Sequence, residues 1–149
     1  MSPGDINSKV VAQRVFWISQ MTDALHDLRL EEKAVFLADR HKVAAAESYL
    51  RRALKALFDI ERHILAKRFA YPATEYKEIA QGLFEREVLV AEDSELMRKM
   101  ADYRNRMVHF YHEITPEELH EICLYHVNEI KILVDKLVHW TKEHGDEIF

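Results

Sequence analysis

Three glycines and three prolines in 149 residues leave this chain with very few turn-forming residues. A β-sandwich or a doubly wound sheet needs many more, because each reversal of direction calls for a residue that tolerates a turn. Their scarcity therefore predicts long helices with few connections. The length and the 48% hydrophobic content suit one domain spanning residues 1–149 with a substantial core. A single cysteine, Cys123, excludes an internal disulfide framework and fits a reducing compartment. No apolar run reaches the ~18–20 residues needed to span a bilayer, and the first residues lack a signal-peptide pattern. A cytoplasmic protein without a membrane partner is expected.

Apolar periodicity places the helices. Val11, Val15, Ile18, Met21, Leu25 and Leu28 recur at helical spacing, predicting a first long helix over about 7–29. A short helical segment is expected near 31–37. Asp39 is a good N-cap for a second long helix running to about Phe69. Val43, Ala46, Leu50, Ala53, Leu57, Ile60, Ile64 and Leu65 line it, and Tyr71-Pro72 stops it. A shorter helix fits 75–87. Asp93 or Ser94 is the expected cap of the next, which turns Leu96, Met100, Tyr103, Met107 and Phe110 inward. Thr115-Pro116-Glu117-Glu118 has the form of a capping box, and Gly145 is the expected stop of the helix it opens. The predicted architecture is all-α, an up-and-down bundle of about five helices.

Charge is distributed unevenly. The net charge is −5, yet residues 40–70 hold eight Lys/Arg against three Asp/Glu, a local +5 that leaves −10 for the rest. The acidic balance argues against a non-specific nucleic-acid coat. The basic helix is either a solvated face or a local surface for a phosphate backbone.

The search for chemistry is mostly negative. No Gly-rich phosphate loop, dinucleotide fingerprint or G-x-S-x-G elbow is present. Cys123 and His126 fall on or near the apolar stripe of the last helix and read as core residues. Glu117-x-x-His120 has the spacing of a di-metal bundle ligand pair, but no second such pair exists. His109 and His112 supply two ligands at most. No metal and no cofactor are expected.

One segment differs. Residues 101–114, ADYRNRMVHFYHEI, bring Arg104, Asn105, His109, Tyr111 and His112 together. With Arg104 at zero on a helical projection, Tyr111 falls at about 340°, Val108 at 40°, His112 at 80°, Asn105 at 100° and His109 at 140°. The apolar residues of the same helix occupy about 240–320°, so the polar group lies on an adjoining arc. Val108 within that arc points to a covering surface such as a second copy. Arg and His together suit RNA cleavage by the ribose 2′-hydroxyl. Histidine moves protons near neutrality, and the arginine fork matches phosphate oxygens. A solvated helix end with ordinary hydrogen bonds is the alternative that these residues leave open.

Arg104-x4-His109-x-Tyr111 resembles the R-x4-H-x-Y motif of HEPN-domain toxins of the HepT type. The likeness extends to HKVAAAESYLRRALKALFDIERHILAK, with its Asp59-Ile60 pair, to Tyr71-Pro72 and YKEIAQGLFEREVL, and to the Thr115-Pro116 helix start. Together these cover roughly residues 35–145. Asp102 and Tyr103 depart from the small or apolar residues expected before the arginine, which bears on pocket shape. The resemblance implies a homodimer in which two motif helices meet. It implies metal-independent endoribonuclease action on cellular RNA, mRNA or tRNA, with Arg104 and His109 catalytic and Asn105 and His112 in the pocket. It also implies a cognate MNT-type nucleotidyltransferase antitoxin that transfers AMP from ATP to Tyr111. The other function these residues fit is a non-catalytic HEPN subunit that binds a nucleotide or a partner nucleotidyltransferase.

Overall fold

A computed structural model of the chain describes residues 5–109 and 114–144. All its regular structure is helical: α1 (Ser8–His26), α2 (Lys33–Ala38), α3 (Arg40–Phe69), α4 (Tyr76–Glu85), α5 (Ala91–Val108), α6 (Pro116–Glu121) and α7 (Val127–His144). The all-α expectation holds.

The long helices start where side chains can satisfy free backbone N–H groups. Asn7 accepts from the amides of Lys9 and Val10. Asp39 accepts from those of His41 and Lys42. Such a cap is worth about 1 kcal/mol. Helix α3 stops at Ala70, which adopts a left-handed conformation at φ 53°. There the Tyr71 amide donates back to the Leu65 carbonyl at 2.9 Å, and Pro72 follows.

Helix α3 is the central column. Leu50, Leu54, Leu57, Ile60, Ile64 and Leu65 on it are fully buried, each contributing about 1.5–3 kcal/mol by leaving water. Helix α1 lies along it. The Asn7 amide donates to His63 Nε2 at 2.9 Å, and Arg14 meets Asp59 at 3.2 Å, so the two helices run antiparallel. Helix α4 packs on α5. Gly82 of α4 faces Leu65 and Tyr71 so closely that a Cβ there would lie 3.2 Å from the Tyr71 ring, which explains a glycine inside a helix. Helix α5 is antiparallel to α7, as Asp93–Lys136 at 4.0 Å and Lys99–Glu129 at 3.6 Å show.

Several boundaries differ from expectation. Helix α1 ends at His26, and Arg29 takes a positive φ of 55°. Helix α5 is capped by Val90, not by Asp93 or Ser94, which are buried in its first turn. The Ser94 amide donates to the Val90 carbonyl at 2.9 Å, an ordinary helical bond. Helix α5 also ends earlier, at Val108, with His109 already extended at φ −96° and ψ 117°. At Thr115 the cap forms, its hydroxyl accepting from the Glu118 amide at 3.1 Å. The Glu118 carboxylate, however, is bound to Arg106, so the capping box is only half made. One π-helical turn, Ile122–His126, joins α6 to α7 without leaving helical dihedrals. The expected stop at Gly145 lies outside the described residues.

Candidate functional site

The last turns of α5 carry the motif. Met97, Met100, Ala101 and Tyr103 anchor this helix in the core. Arg104 follows them inward. The projection sets it off the apolar stripe, yet only 7% of the residue is exposed. Its Nε and Nη1 are buried without a hydrogen-bond partner among the described residues. The group it faces is aromatic: its Cζ lies 5.5 Å from the Tyr76 ring centroid. Tyr76 opens α4 and is itself backed by Phe58 of α3 at 4.9 Å. A ring face attracts a guanidinium but leaves in-plane N–H donors free. A buried cation with unfilled donors is costly unless an anion or another chain completes it.

Arg106, two residues on, is spoken for. Its Nη1 donates to Glu118 Oε2 at 2.6 Å and its Nη2 to Glu118 Oε1, while Asp102 stands 4.0 Å away. The Arg106 hydrogen bond holds the Glu118 carboxyl below its ordinary value, and Glu118 raises the guanidinium in turn. This fork ties the end of α5 to the start of α6, across the segment that holds the rest of the motif. Of the two arginines in R-N-R, Arg106 is held by Glu118, and Arg104 has no ion pair among the described residues.

Asn105 is half-buried, and its carbonyl accepts from the His109 amide at 3.0 Å. His109 is exposed at the helix end, next to Val108, which is 47% exposed. The structure thus gathers Arg104, Asn105 and His109 at one end of α5, with Arg104 inward and His109 outward. Tyr111 and His112 lie outside the described residues. The projected angles of both assumed a helix continuing past Val108, and α5 does not.

The remaining candidates take the places expected of structural groups. Cys123 is buried, and burial pushes its thiol up to about 12, far from a reactive thiolate. His126 is half-buried in the π-helical turn and pairs with Glu129. His120 is buried, its Nε2 2.5 Å from the Leu30 carbonyl, while Glu117 is exposed, so that pair does not converge on a shared ligand. Asp102 points to the surface, and Tyr103 packs inward near the His126 ring at 6.3 Å. Burial and the nearby Glu129, Glu118, Glu121 and Asp102 raise the Tyr103 phenol to about 12. Sequence reasoning missed Tyr76 as the partner of Arg104 and Glu118 as the lock on Arg106. Both are long-range contacts, and neither has a spacing signal.

The fold is similar to that of several solved structures. A Shewanella oneidensis tri-AMPylated HEPN toxin in complex with MNT antitoxin matches with a TM-score of 0.79 and 17% identity, covering 87% of this chain and 97% of that one. A toxin-antitoxin structure with AMP-PNP matches with a TM-score of 0.77 and 16% identity, covering 86% and 97%. A mutant of the MntA-HpeT toxin-antitoxin pair gives 0.77 and 17%, covering 88% and 98%. No curated protein matches the chain. The model of the family described as "Ribonuclease HepT-like" matches residues 18–137, most of the chain and all of the α5 motif up to its end. The chain therefore belongs to the HepT-like ribonuclease family.

Proposed function

We propose that the chain is the toxin of a toxin–antitoxin pair, a metal-independent endoribonuclease with Arg104 and His109 as its catalytic groups. The observation that carries this reading is the Arg104 guanidinium, buried with Nε and Nη1 unpartnered among the described residues, a few residues before an exposed histidine in a member of this family. A scissile phosphate would accept the free N–H donors and disperse its developing charge into the arginine fork. His109 would take the proton from the ribose 2′-hydroxyl or deliver one to the leaving 5′-oxygen. Attack of that hydroxyl on the adjacent phosphorus breaks the P–O5′ bond and leaves a cyclic phosphate. Asn105 and His112 would line the pocket.

A second copy of the chain would complete the site. Val108 is 47% exposed beside His109, an apolar side chain at the mouth of a polar cluster. A C2 pairing that covers it sets two motif ends together, as closed dimers commonly do.

Control would fall to a nucleotidyltransferase antitoxin of the MNT type. Transfer of AMP from ATP to the Tyr111 hydroxyl, with release of pyrophosphate, would place a phosphodiester where the RNA phosphate binds. The likeness in fold to a tri-AMPylated toxin in complex with an MNT antitoxin supports this. No described helix is long and apolar enough to cross a membrane, in keeping with a cytoplasmic site of action.

Expression in a bacterial host tests the reading. The wild-type chain should arrest growth, and His109→Ala should not. Co-expression of the cognate nucleotidyltransferase should restore growth and add mass in AMP units, an addition absent in Tyr111→Phe. Equal growth of wild type and His109→Ala, with both proteins accumulating, would favour the non-catalytic subunit instead.

A further inference from the structure

We propose that the groove between α1 and α3 is a track for single-stranded RNA, in which Trp17 stacks a base and Arg14, Arg52 and Lys55 hold phosphates. The proposal rests on the ribonuclease reading for the kind of strand that is bound, and it adds a binding surface outside the motif. The groove encloses about 250 Å³ and is lined by Arg14, Trp17, Arg52, Lys55, Ala56 and Asp59. Half of these residues are cations. The one acid is shared three ways: Asp59 lies 3.2 Å from Arg14 Nε, 3.1 Å from Lys55 Nζ and 3.8 Å from Arg62 Nη1. One carboxylate cannot neutralise three cations. Arg14 Nε and Arg62 Nε are, besides, buried without an aligned hydrogen-bond acceptor among the described residues. Arg52 is exposed and forms no ion pair among the described residues. The groove thus holds a surplus of donors and positive charge.

Trp17 supplies the second half of the recognition. It is 39% exposed at the groove wall, beside Phe16 at 63%. An indole face next to unpaired cations is the pairing that single-stranded nucleic acid uses: a base on the ring, its phosphates on the charges. An acidic peptide would satisfy the cations and leave the ring without a planar partner. The charge map fits too. With +5 on residues 40–70 and −10 elsewhere, a polyanion is attracted to α3 and repelled from the rest of the chain.

The groove and the motif are both built against α3. Asp59 follows Phe58, whose ring packs on Tyr76 at 4.9 Å, and Tyr76 faces Arg104. Groove and motif therefore lie on two sides of α3.

The test uses the full chain and a single-stranded RNA with every 2′-hydroxyl methylated, which binds but lacks the attacking group. Fluorescence anisotropy over a salt series should show Trp17→Ala weakening binding about tenfold or more, with Trp17→Phe close to wild type. Arg52→Ala and Lys55→Ala should each flatten the dependence of log K on log salt by about 0.7. Lys136→Ala, on α7, should change neither quantity. With unmethylated RNA, Trp17→Ala should raise KM for a long strand more than for a dinucleotide. Binding of the methylated strand by Trp17→Ala and by Arg52→Gln at wild-type strength overturns the proposal, since exposed Arg52 can change without harming the fold. Loss of dimerisation or of antitoxin binding in these variants, with RNA affinity intact, overturns it as well and assigns the groove to a protein. A wild-type chain that binds RNA through these residues but cleaves none supports the track and contradicts the ribonuclease reading.

Discussion

The Arg104 guanidinium lies 5.5 Å from the centroid of the Tyr76 ring, and that aromatic face stands where a carboxylate would ordinarily stand. The ring holds the cation without neutralising it, and Nε and Nη1 have no partner among the described residues. Tyr76→Phe should preserve RNA cleavage within about twofold, because the ring face remains. Tyr76→Leu should lower kcat/KM by about tenfold, the loss expected from removing one desolvated cation–π contact. Equal activity of Tyr76→Leu and wild type would show that the ring does not position Arg104.

The Arg106–Glu118 fork should make stability depend on pH in the acid range. The folded-state pKa of Glu118 is depressed, so its contribution is present above the unfolded value near 4.5 and is lost as pH falls through the folded value. Both side chains are about a third exposed, at 30% and 34%, so solvent screening limits the gain. Glu118→Gln should cost about 1 kcal/mol at pH 7 and less at pH 3. Urea unfolding at the two pH values measures this, and an identical cost at both would remove the ion pair from the account.

Glu61 should act with the opposite sign. It is fully buried on α3, both carboxyl oxygens lack a partner among the described residues, and burial raises its pKa well above 4.5. The folded state therefore holds this proton more tightly than the unfolded one. The associated stability is complete below the unfolded value and declines as pH rises through the folded value. Glu61→Met, similar in volume and without the charge, should stabilise the protein by about 1–3 kcal/mol at pH 8 and by less at pH 4. Thermal melts across that range check both size and slope. A variant less stable than wild type at pH 8 would mean that the carboxylate is satisfied when ionised.

Ala70 ends α3 in a left-handed conformation, at φ 53°, that costs an L-residue about 1–2 kcal/mol. Ala70→Gly relieves that strain and gives back part of it in unfolded-state entropy. A net gain of about 0.5–1 kcal/mol is expected, read as a higher Tm with RNA cleavage unchanged. A lower Tm would contradict the strain argument.

What the sequence disclosed followed local chemistry. Asn7, Asp39 and Thr115 mark helix starts because their side chains bond nearby amides, and α1, α3 and α6 begin where they indicate. The start of α5 was hidden because Val90 offers no side-chain cap, while Asp93 and Ser94 resemble caps but lie inside the first turn. Its end was hidden for a related reason. No glycine or proline follows Val108, and the apolar rhythm continues through Phe110, so nothing local announces the break at His109. In the candidate site, the residue types were legible from Arg104 and His109. Their environments were not, because burial of Arg104 against Tyr76 and capture of Arg106 by Glu118 depend on α4 and α6 arriving from elsewhere in the chain.

Cleavage of RNA by the purified chain in the presence of EDTA decides whether Arg104 and His109 form a metal-independent catalytic pair, with Arg104→Ala, His109→Ala and the double variant measured beside wild type. If the two groups serve one transition state, wild type cleaves and leaves cyclic phosphate ends. Each single variant should then lose about 10²–10⁴-fold in rate, and the double variant little more than the worse single one. Wild-type cleavage that stops in EDTA and returns with added metal, or single variants that cleave as fast as wild type, would contradict the assignment of Arg104 and His109 as a metal-independent catalytic pair.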